Sequence, residues 1–295
     1  MSLSFGPRHR APGVRSPLYS GSASALGWLS YLGPASPRPV SYACEPPPGT
    51  PWENASYDTH PVLIEDIRLR TSLPHIDREG FELWHAPSSV RDFLDDEEVR
   101  ATYYPELAEL ALAATGATRC HVFDHLVRRR EAGRPALGFG RSNGRGPVAA
   151  NGRIHNDYTV ASGERRLALV VTDPEALLAV RRHAIVNIWR PIRHPVLDTP
   201  LALCDAGSVA PADLVEGEVR YANRNGEIYL LRHSSAHRWA FASALQPQEA
   251  LVFKQYDSRA DGVARFTPHT AFDRPVAPGT PLRESIEARV LVVYE

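Results

Sequence analysis

From about residue 61, apolar and polar residues form short segments with the pattern of β-strands, and in the last of them the two kinds alternate. The segments "PVLIEDIRL", "GFELWHA" and "RCHVFDHLVR" are strand-like. In the C-terminal half, short β-branched and aromatic segments such as "AIVNIWR", "EALVFKQYD" and "SIEARVLVVY" are separated by turn residues. Many short strands predict a mainly β fold with a jelly-roll or barrel core and flanking helices.

Helical spacing interrupts this pattern in three places. The stretch "SSVRDFLDDEEVRATYYPELAELALAATG" begins with serines, carries acids early and stops at Gly116, as a capped helix does. A second helix is predicted from Ser162 to Val171. A third begins in "TDPEALLAV", where Pro174 suits the first turn.

Residues 1–60 are rich in Pro, Gly and Ser, as in "GPASPRP" and "EPPPGTPWEN". This composition predicts an N-terminal arm with little regular structure. Residues 61–295 are then expected to form a single β domain with helical insertions.

The 295 residues are 43% hydrophobic, enough to bury a substantial core. Lys and Arg number 33 against 34 Asp and Glu, and no run of like charge indicates a nucleic-acid or membrane partner. Cys44, Cys120 and Cys204 are odd in number and far apart, which favours a reducing compartment. No segment offers 18 consecutive apolar residues. We therefore expect a soluble cytoplasmic protein.

Candidate chemistry concentrates in "NGRIHNDYTVASGERR", where His155 and Asp157 are two residues apart. On a strand or strand end, residues i and i+2 point to the same side and can reach one ion. The spacing alone is weak evidence, because His75 and Asp77 share it, and a pair of surface loop residues is the alternative. His269 in "RFTPHTAFDRP" offers a third ligand just before the last strand. Two imidazoles and a carboxylate on one face of Fe(II) would leave positions open for oxygen and a co-substrate.

The last strand adds a second feature. Arg283, Ser285, Glu287 and Arg289 alternate with mostly apolar residues and form one polar face. Cations that point into a barrel require an anionic partner, and a dicarboxylate co-substrate would provide one. A guanidinium binds a carboxylate with two hydrogen bonds, and Ser285 would add a hydroxyl beside Arg283. A surface salt bridge with Glu284 or Glu287 is the alternative for Arg283.

The segments "HNDYT", "NIWRPIRHPVLDTPLALCD", "HRWAF", "LVFKQYDS", "PHTAF" and "RESIEARVLV" together resemble a family of small-molecule hydroxylases and desaturases. This family includes the cephamycin C-7 hydroxylase component, the fungal gibberellin desaturase and a cercosporin-pathway hydroxylase. The resemblance covers roughly residues 60–295 and is strongest from residue 151. It implies a double-stranded β-helix (cupin-like) and an Fe(II)- and 2-oxoglutarate-dependent oxygenase that uses O2 on a specialised metabolite.

By this resemblance, His155, Asp157 and His269 are the predicted iron ligands and catalytic residues. Arg283 with Ser285 would bind the distal carboxylate of 2-oxoglutarate. Arg289 lies on the same face and could take that role instead, and the sequence does not decide between the two arginines.

Other candidates have structural alternatives. Asn187 in "NIWRPI" could reach the co-substrate and Arg190 the substrate, although a buried strand would also explain both. Tyr158 could line the pocket or pack in the core. His125 and Arg128 in "DHLVR" could contact substrate or form ion pairs.

Three functions remain open at this stage. The first is an Fe(II)/2-oxoglutarate-dependent hydroxylase or desaturase. The second keeps the metal triad without 2-oxoglutarate, as cupin-type oxidases and dioxygenases do. The third is a non-enzymatic β-barrel that binds a ligand anion. The N-terminal arm could close the pocket or mediate a homodimer.

Overall fold

Two β-sheets packed against each other form the core of the protein. The computed structural model describes residues 23–34, 38–130 and 150–295. Fourteen strands are present in these ranges: β1 Ser24–Leu32, β2 Val40–Tyr42, β3 Tyr57–Asp66, β4 Phe81–His85, β5 Arg119–Arg129, β6 His155–Asn156, β7 Arg182–Pro191, β8 Leu201–Cys204, β9 Leu214–Arg220, β10 Asn225–Leu231, β11 Trp239–Phe241, β12 Glu249–Asp257, β13 His269–Ala271 and β14 Glu284–Tyr294.

The strands divide into a large and a small sheet. The nine-stranded sheet has the order β1-β3-β11-β8-β13-β6-β10-β9-β2, and the five-stranded sheet has the order β4-β12-β7-β14-β5. Trp189 and Phe253 of the small sheet pack with Leu203 and Ala240 of the large one, so apolar side chains fill the space between them. The predicted mainly β, double-stranded β-helix fold is confirmed.

The longest helix covers the outer face of the small sheet, and two shorter helices pack against Ile185 and Leu291 on its other face. The helical segments are α1 Asp96–Glu98, a π-helical turn Val99–Tyr103, α2 Tyr104–Thr115, α3 Val160–Val170 and α4 Pro174–Leu178, with short 3-10 turns at Ile67–Leu69, Ala206–Ser208 and Pro211–Asp213. Gly116 ends α2 with φ of 66°, a left-handed conformation that glycine adopts readily. The first helix begins later than the serines predict, because the Asp95 side chain accepts the free N–H groups of Glu97 and Glu98. In the described ranges, no helix combines the length and apolarity needed to cross a membrane.

Side chains of β14 point alternately into the apolar core and toward the candidate site. Ile286 and Ala288 pack in one cluster with Tyr103 and Leu107 of the helical layer. Glu287 points the other way, into a cavity between the sheets. One face of the last strand is therefore apolar and the other polar, as its sequence predicts.

The N-terminal segment differs from expectation. Residues 24–32 and 40–42 form β1 and β2, which are the two ends of the large sheet's strand order. β1 pairs along its whole length with β3, and its Leu29 and Tyr31 are buried. The expectation of an arm with little regular structure is therefore wrong for these residues, because tertiary pairing overrides a turn-rich composition. Residues 1–22 lie outside the described part of the chain.

A buried ion network joins β12 and β7 to the loop before β4. The Lys254 ammonium, 1% exposed, donates to Asp257 at 2.7 Å and to Asp77 at 2.5 Å. Arg182 Nε also donates to Asp257 at 2.9 Å. Asp77 of the second His-x-Asp pair is thus part of this network.

Lys254→Met is expected to lower the free energy of unfolding by about 2–3 kcal/mol, because Asp257 and Asp77 lose charge-assisted hydrogen bonds while Arg182 still pairs with Asp257. Urea denaturation measures the change. Arg78→Met removes an ion pair whose arginine is 63% exposed and is the control, with little expected change. Equal stability of the Lys254→Met variant and the wild type would contradict this account.

Candidate metal centre

Two histidines lie side by side on neighbouring strands. His155 is the first residue of β6 and His269 the first of β13, and the antiparallel register pairs them directly. Their ring centroids are 4.4 Å apart. Paired residues of adjacent strands point to the same face, so both imidazoles turn into the space between the sheets.

Asp157 completes a group of three. One ligand atom from each of His155, Asp157 and His269 can be chosen so that all three lie within 4.8 Å of one another. It is the one such cluster of three found in the described ranges. Asp157 Oδ1 is 3.5 Å from His155 Nε2. Two imidazoles and a carboxylate are the donor set of a facial Fe(II) site with open positions.

Hydrogen bonds set which nitrogen of each imidazole is available. His155 Nδ1 donates to the Arg153 carbonyl at 2.8 Å, and His269 Nδ1 donates to the Thr267 carbonyl at 3.3 Å. The Nε2 atoms therefore carry the lone pairs, as in metal sites whose ligands are oriented by backbone carbonyls.

The protonation states of His269 and Asp157 also suit metal binding. Burial, and then the neighbouring His155, lowers the pKa of His269 to about 3, so this imidazole is neutral. Burial alone would raise the pKa of Asp157, but the Arg289 guanidinium holds it well below its usual range. Neutral imidazole and ionised carboxylate are the forms that bind metal ions, so the residues present fit Fe(II).

Two buried amides tie the ligand segments together. Asn156 Nδ2 donates to the carbonyls of Tyr158 and Gln255, and its Oδ1 accepts from Thr267 N at 3.1 Å. Gln255 Oε1 accepts from Asp157 N at 2.7 Å. The segments that carry Asp157 and His269 are therefore held to each other and to β12. Sequence reasoning missed both amides, although the polar residue between two predicted ligands in "HND" was the available signal.

A small, partly open cavity lies beside the histidines. It brings both imidazoles together with two arginines, one glutamate and a few apolar side chains. Its lining is Arg128, Asn151, His155, Trp189, Leu201, His269, Thr270, Ala271, Arg283 and Glu287.

Arg283 is a buried cation in this cavity, 3% exposed. Its Nε donates to Ser285 Oγ at 3.1 Å, one Nη donates to the Thr199 carbonyl at 3.0 Å, and its guanidinium lies 5.0 Å from the Trp189 ring centroid. Among the described residues, no carboxylate forms an ion pair with it. Burial, and then repulsion from Arg128, lowers the pKa of Arg283 to about 10, so it remains charged at neutral pH.

Arg289 is in a different situation, because three carboxylates surround it. Its guanidinium donates to Asp157 at 2.9 Å, to Asp124 at 2.8 Å and to Glu287 at 3.3 Å. Burial would lower the pKa of Arg289, but these carboxylates raise it well above its usual value. Its charge is therefore already balanced by the protein.

Asn187 also contacts a predicted ligand. It lies on β7 directly opposite Arg289 of β14, and its Nδ2 donates to Asp157 Oδ2 at 2.9 Å. The other amide atom, Oδ1, is buried without a hydrogen-bond partner in the described ranges. This contact with Asp157 replaces the contact with the co-substrate that the sequence suggests.

The two residues of β5 that the sequence predicts to contact substrate lie on opposite faces of that strand. Arg128 is paired with Ser285 across β5 and β14 and lines the cavity. His125 is paired with Ala288 and lies on the helical side, where it contacts Tyr104 at 3.0 Å. Because successive side chains of a strand alternate, His125 cannot share the cavity with Arg128.

Arg190 and Tyr158 also lie outside the cavity lining. Arg190 stacks on Tyr103 of the helical layer and donates to the Ala86 carbonyl. Tyr158 packs in an apolar cluster with Ile185 and Leu291. The prediction that these two side chains and His125 contact substrate is not supported by their positions.

Glu287 is a cavity residue for which sequence reasoning predicted no role in the site. It is 6% exposed, and burial, followed by the nearby Asp157, raises its pKa. The alternation of β14 placed it on the polar face, which was the signal for it. Asn151, Trp189 and Thr270 also line the cavity and carried no comparable signal.

Comparisons with known proteins agree with this geometry. A family model described as "Oxidoreductase/YMDC permease-like domain" matches residues 29–293. The hydroxylase/desaturase efuI of Hormonema carpetanum is 34% identical over 256 residues, which cover 81% of this chain and 85% of that protein. The alpha-ketoglutarate-dependent dioxygenase phiK of a fungal species is 32% identical over 250 residues, 80% of this chain and 85% of that protein.

A solved structure is similar over nearly its whole length. The iron and alpha-ketoglutarate-dependent endoperoxidase NvfI matches with a TM-score of 0.78 at 25% identity, covering 92% of this chain and 98% of that chain. The family match begins at residue 29, within β1, which agrees with the inclusion of this strand in the large sheet.

Proposed function

Because this chain belongs to the oxidoreductase family of these fungal hydroxylases, desaturases and 2-oxoglutarate-dependent dioxygenases, we propose a role for each residue of its site. The protein is an Fe(II)/2-oxoglutarate-dependent oxygenase that uses O2 on a small-molecule substrate. We assign Fe(II) to His155, Asp157 and His269. The distal carboxylate of 2-oxoglutarate is assigned to Arg283 and Ser285, and the substrate class to specialised metabolites.

One observation supports the proposal most strongly. A buried arginine without a carboxylate partner among the described residues lines the same cavity as two imidazoles that are oriented for metal binding. A buried guanidinium with no carboxylate in contact is costly, and Asp198 and Glu287 act on it only at longer range, so an anion is expected to join it. Metal-dependent oxidases that do not use 2-oxoglutarate have no need of such a cation.

The choice between the two arginines follows from their partners. Arg289 already binds three carboxylates of the protein, whereas Arg283 lines the cavity and has only neutral partners in the described ranges. A planar guanidinium with a hydroxyl beside it suits a carboxylate. We therefore assign the co-substrate to Arg283 and not to Arg289.

The bound iron and 2-oxoglutarate supply the oxidising chemistry, in which O2 and 2-oxoglutarate give succinate and CO2 while a substrate C–H bond is oxidised. The protein's residues hold the reactants. Ser285 and the Thr199 carbonyl fix the Arg283 guanidinium, and Trp189 packs beside it and helps to exclude water. Arg128, Glu287 and Asn151 are further polar residues of the cavity, and we assign the orientation of the substrate to them. A cytoplasmic location and a homodimer remain predictions from the sequence.

Anaerobic titration of the iron-free protein with Fe(II) and then 2-oxoglutarate tests this function. We expect the weak visible charge-transfer band of a keto acid chelated to Fe(II). Glutarate, which has both carboxylates but no keto group, is the control and should give no band. Iron binding without a band on addition of 2-oxoglutarate would support the alternative of a metal-dependent oxidase.

A further inference from the structure

We infer that Arg289 and Asn187 form a clamp on Asp157 that withholds one carboxylate oxygen from the metal and presents the other. This clamp, named here the Asp157 clamp, consists of those two side chains only. The inference rests on the proposed function, because it takes His155, Asp157 and His269 to be the metal site.

The two donors converge on the same oxygen. Asn187 Nδ2 and Arg289 Nε each donate to Asp157 Oδ2 at 2.9 Å. A carboxylate oxygen offers two lone-pair sites, so these two hydrogen bonds occupy both sites of Oδ2. Oδ1 is turned toward His155 Nε2 instead, at 3.5 Å. The carboxylate is thus held to bind a metal through one oxygen, which keeps a further coordination position open.

The clamp comes from the opposite sheet. Asn187 and Arg289 are direct partners in the antiparallel register of β7 and β14, within the small sheet. His155 and His269 lie on strands of the large sheet, and Asp157 follows directly after β6. The clamp therefore fixes the carboxylate ligand relative to both sheets, across the space between them.

Arg289 is itself held in position. Asp124 on β5 accepts from one terminal nitrogen at 2.8 Å, and Glu287 accepts from the other at 3.3 Å. All three nitrogens of the guanidinium consequently have carboxylate partners. An arginine held in this way does not need the metal or a co-substrate to fix its orientation, so the clamp is formed before either binds.

Titration of the full-length protein with Co(II) alone tests the clamp without turnover. Asn187→Leu removes a donor at nearly constant side-chain volume, and Arg289→Lys keeps the charge but loses the planar fork. We expect each variant to bind Co(II) about 10- to 100-fold more weakly, as when partners of metal ligands are removed. The Co(II) d–d bands should also change in intensity, because Asp157 becomes free to bind through both oxygens. A packing role alone would leave the spectrum of Asn187→Leu as in the wild type.

A control arginine and a ligand variant separate the outcomes. Arg190→Lys changes a buried arginine of β7 that faces the helical layer, and it should bind Co(II) as the wild type does. Thermal unfolding of each apoprotein establishes that it is folded, and Asn187→Leu carries the test if Arg289→Lys does not fold.

Two negative results have different meanings. The proposed metal site is wrong if the wild type does not bind Co(II), or if His155→Ala binds it as tightly as the wild type. The Asp157 clamp, which depends on that site, would then also be wrong. If His155→Ala loses binding while both clamp variants keep the wild-type affinity and spectrum, only the clamp is wrong.

Discussion

Replacement of His155 by alanine is expected to weaken Fe(II) binding by more than about 100-fold and to abolish turnover, since even partners of metal ligands contribute 10- to 100-fold. The imidazole is one of three donors in the group, and its Nε2 is the nitrogen left free by the hydrogen bond to the Arg153 carbonyl. Alanine removes the donor and leaves two ligands for a cation that needs three from the protein. Anaerobic Fe(II) titration measures the loss directly.

The chain contains its own control for this experiment. His75 and Asp77 have the same spacing as His155 and Asp157, but the His75 Nδ1 accepts a hydrogen bond from Asp77 N, and Asp77 binds Lys254. His75→Ala should therefore bind Fe(II) as the wild type does. If the His155→Ala variant binds Fe(II) with the wild-type affinity, the metal does not bind at this site.

Replacement of Arg283 by glutamine is expected to raise the 2-oxoglutarate concentration needed for half-saturation by about 100-fold, with Fe(II) affinity unchanged. Loss of one partner from a buried charge pair costs about 2–5 kcal/mol, and each 1.4 kcal/mol is about tenfold in affinity. Glutamine keeps a neutral donor beside Ser285 but supplies neither the charge nor the fork. The charge-transfer titration gives both affinities without knowledge of the substrate.

Arg193→Gln is the matched control, because this arginine lies just after the end of β7 and pairs with Glu284 at 3.3 Å while its side chain is 51% exposed. It should leave 2-oxoglutarate binding unchanged. Arg283→Lys should fall between the wild type and Arg283→Gln, since it keeps a point charge without the planar fork. An unchanged 2-oxoglutarate requirement in Arg283→Gln would mean that another group binds the distal carboxylate.

The N-terminal strands illustrate where composition misleads. "SALGWLSYL" contains the alternation of β1, but the Pro-, Gly- and Ser-rich residues around it predicted an arm. Its partner β3 begins 25 residues later, after Leu32, and pairs with it throughout. Local composition carries no information about such a partner, so the strand was missed.

Local sequence signals predicted the mainly β fold, the polar and apolar faces of the last strand and the three residues proposed as metal ligands. Each of these depends on local periodicity, on the spacing of two residues along a strand, or on motifs shared with a known family. These signals lie within short stretches of chain, so they can be read before the chain folds.

Only the tertiary structure distinguished Arg283 from Arg289. Both lie near the polar face of the same strand, and their difference comes from Asp124 and Asp157, which belong to other parts of the chain. The same holds for His125 and Arg128, whose positions depend on the register of β5 against β14. Register and long-range ion pairs are properties of strands brought together in space, and for that reason the local pattern of the sequence left these choices open.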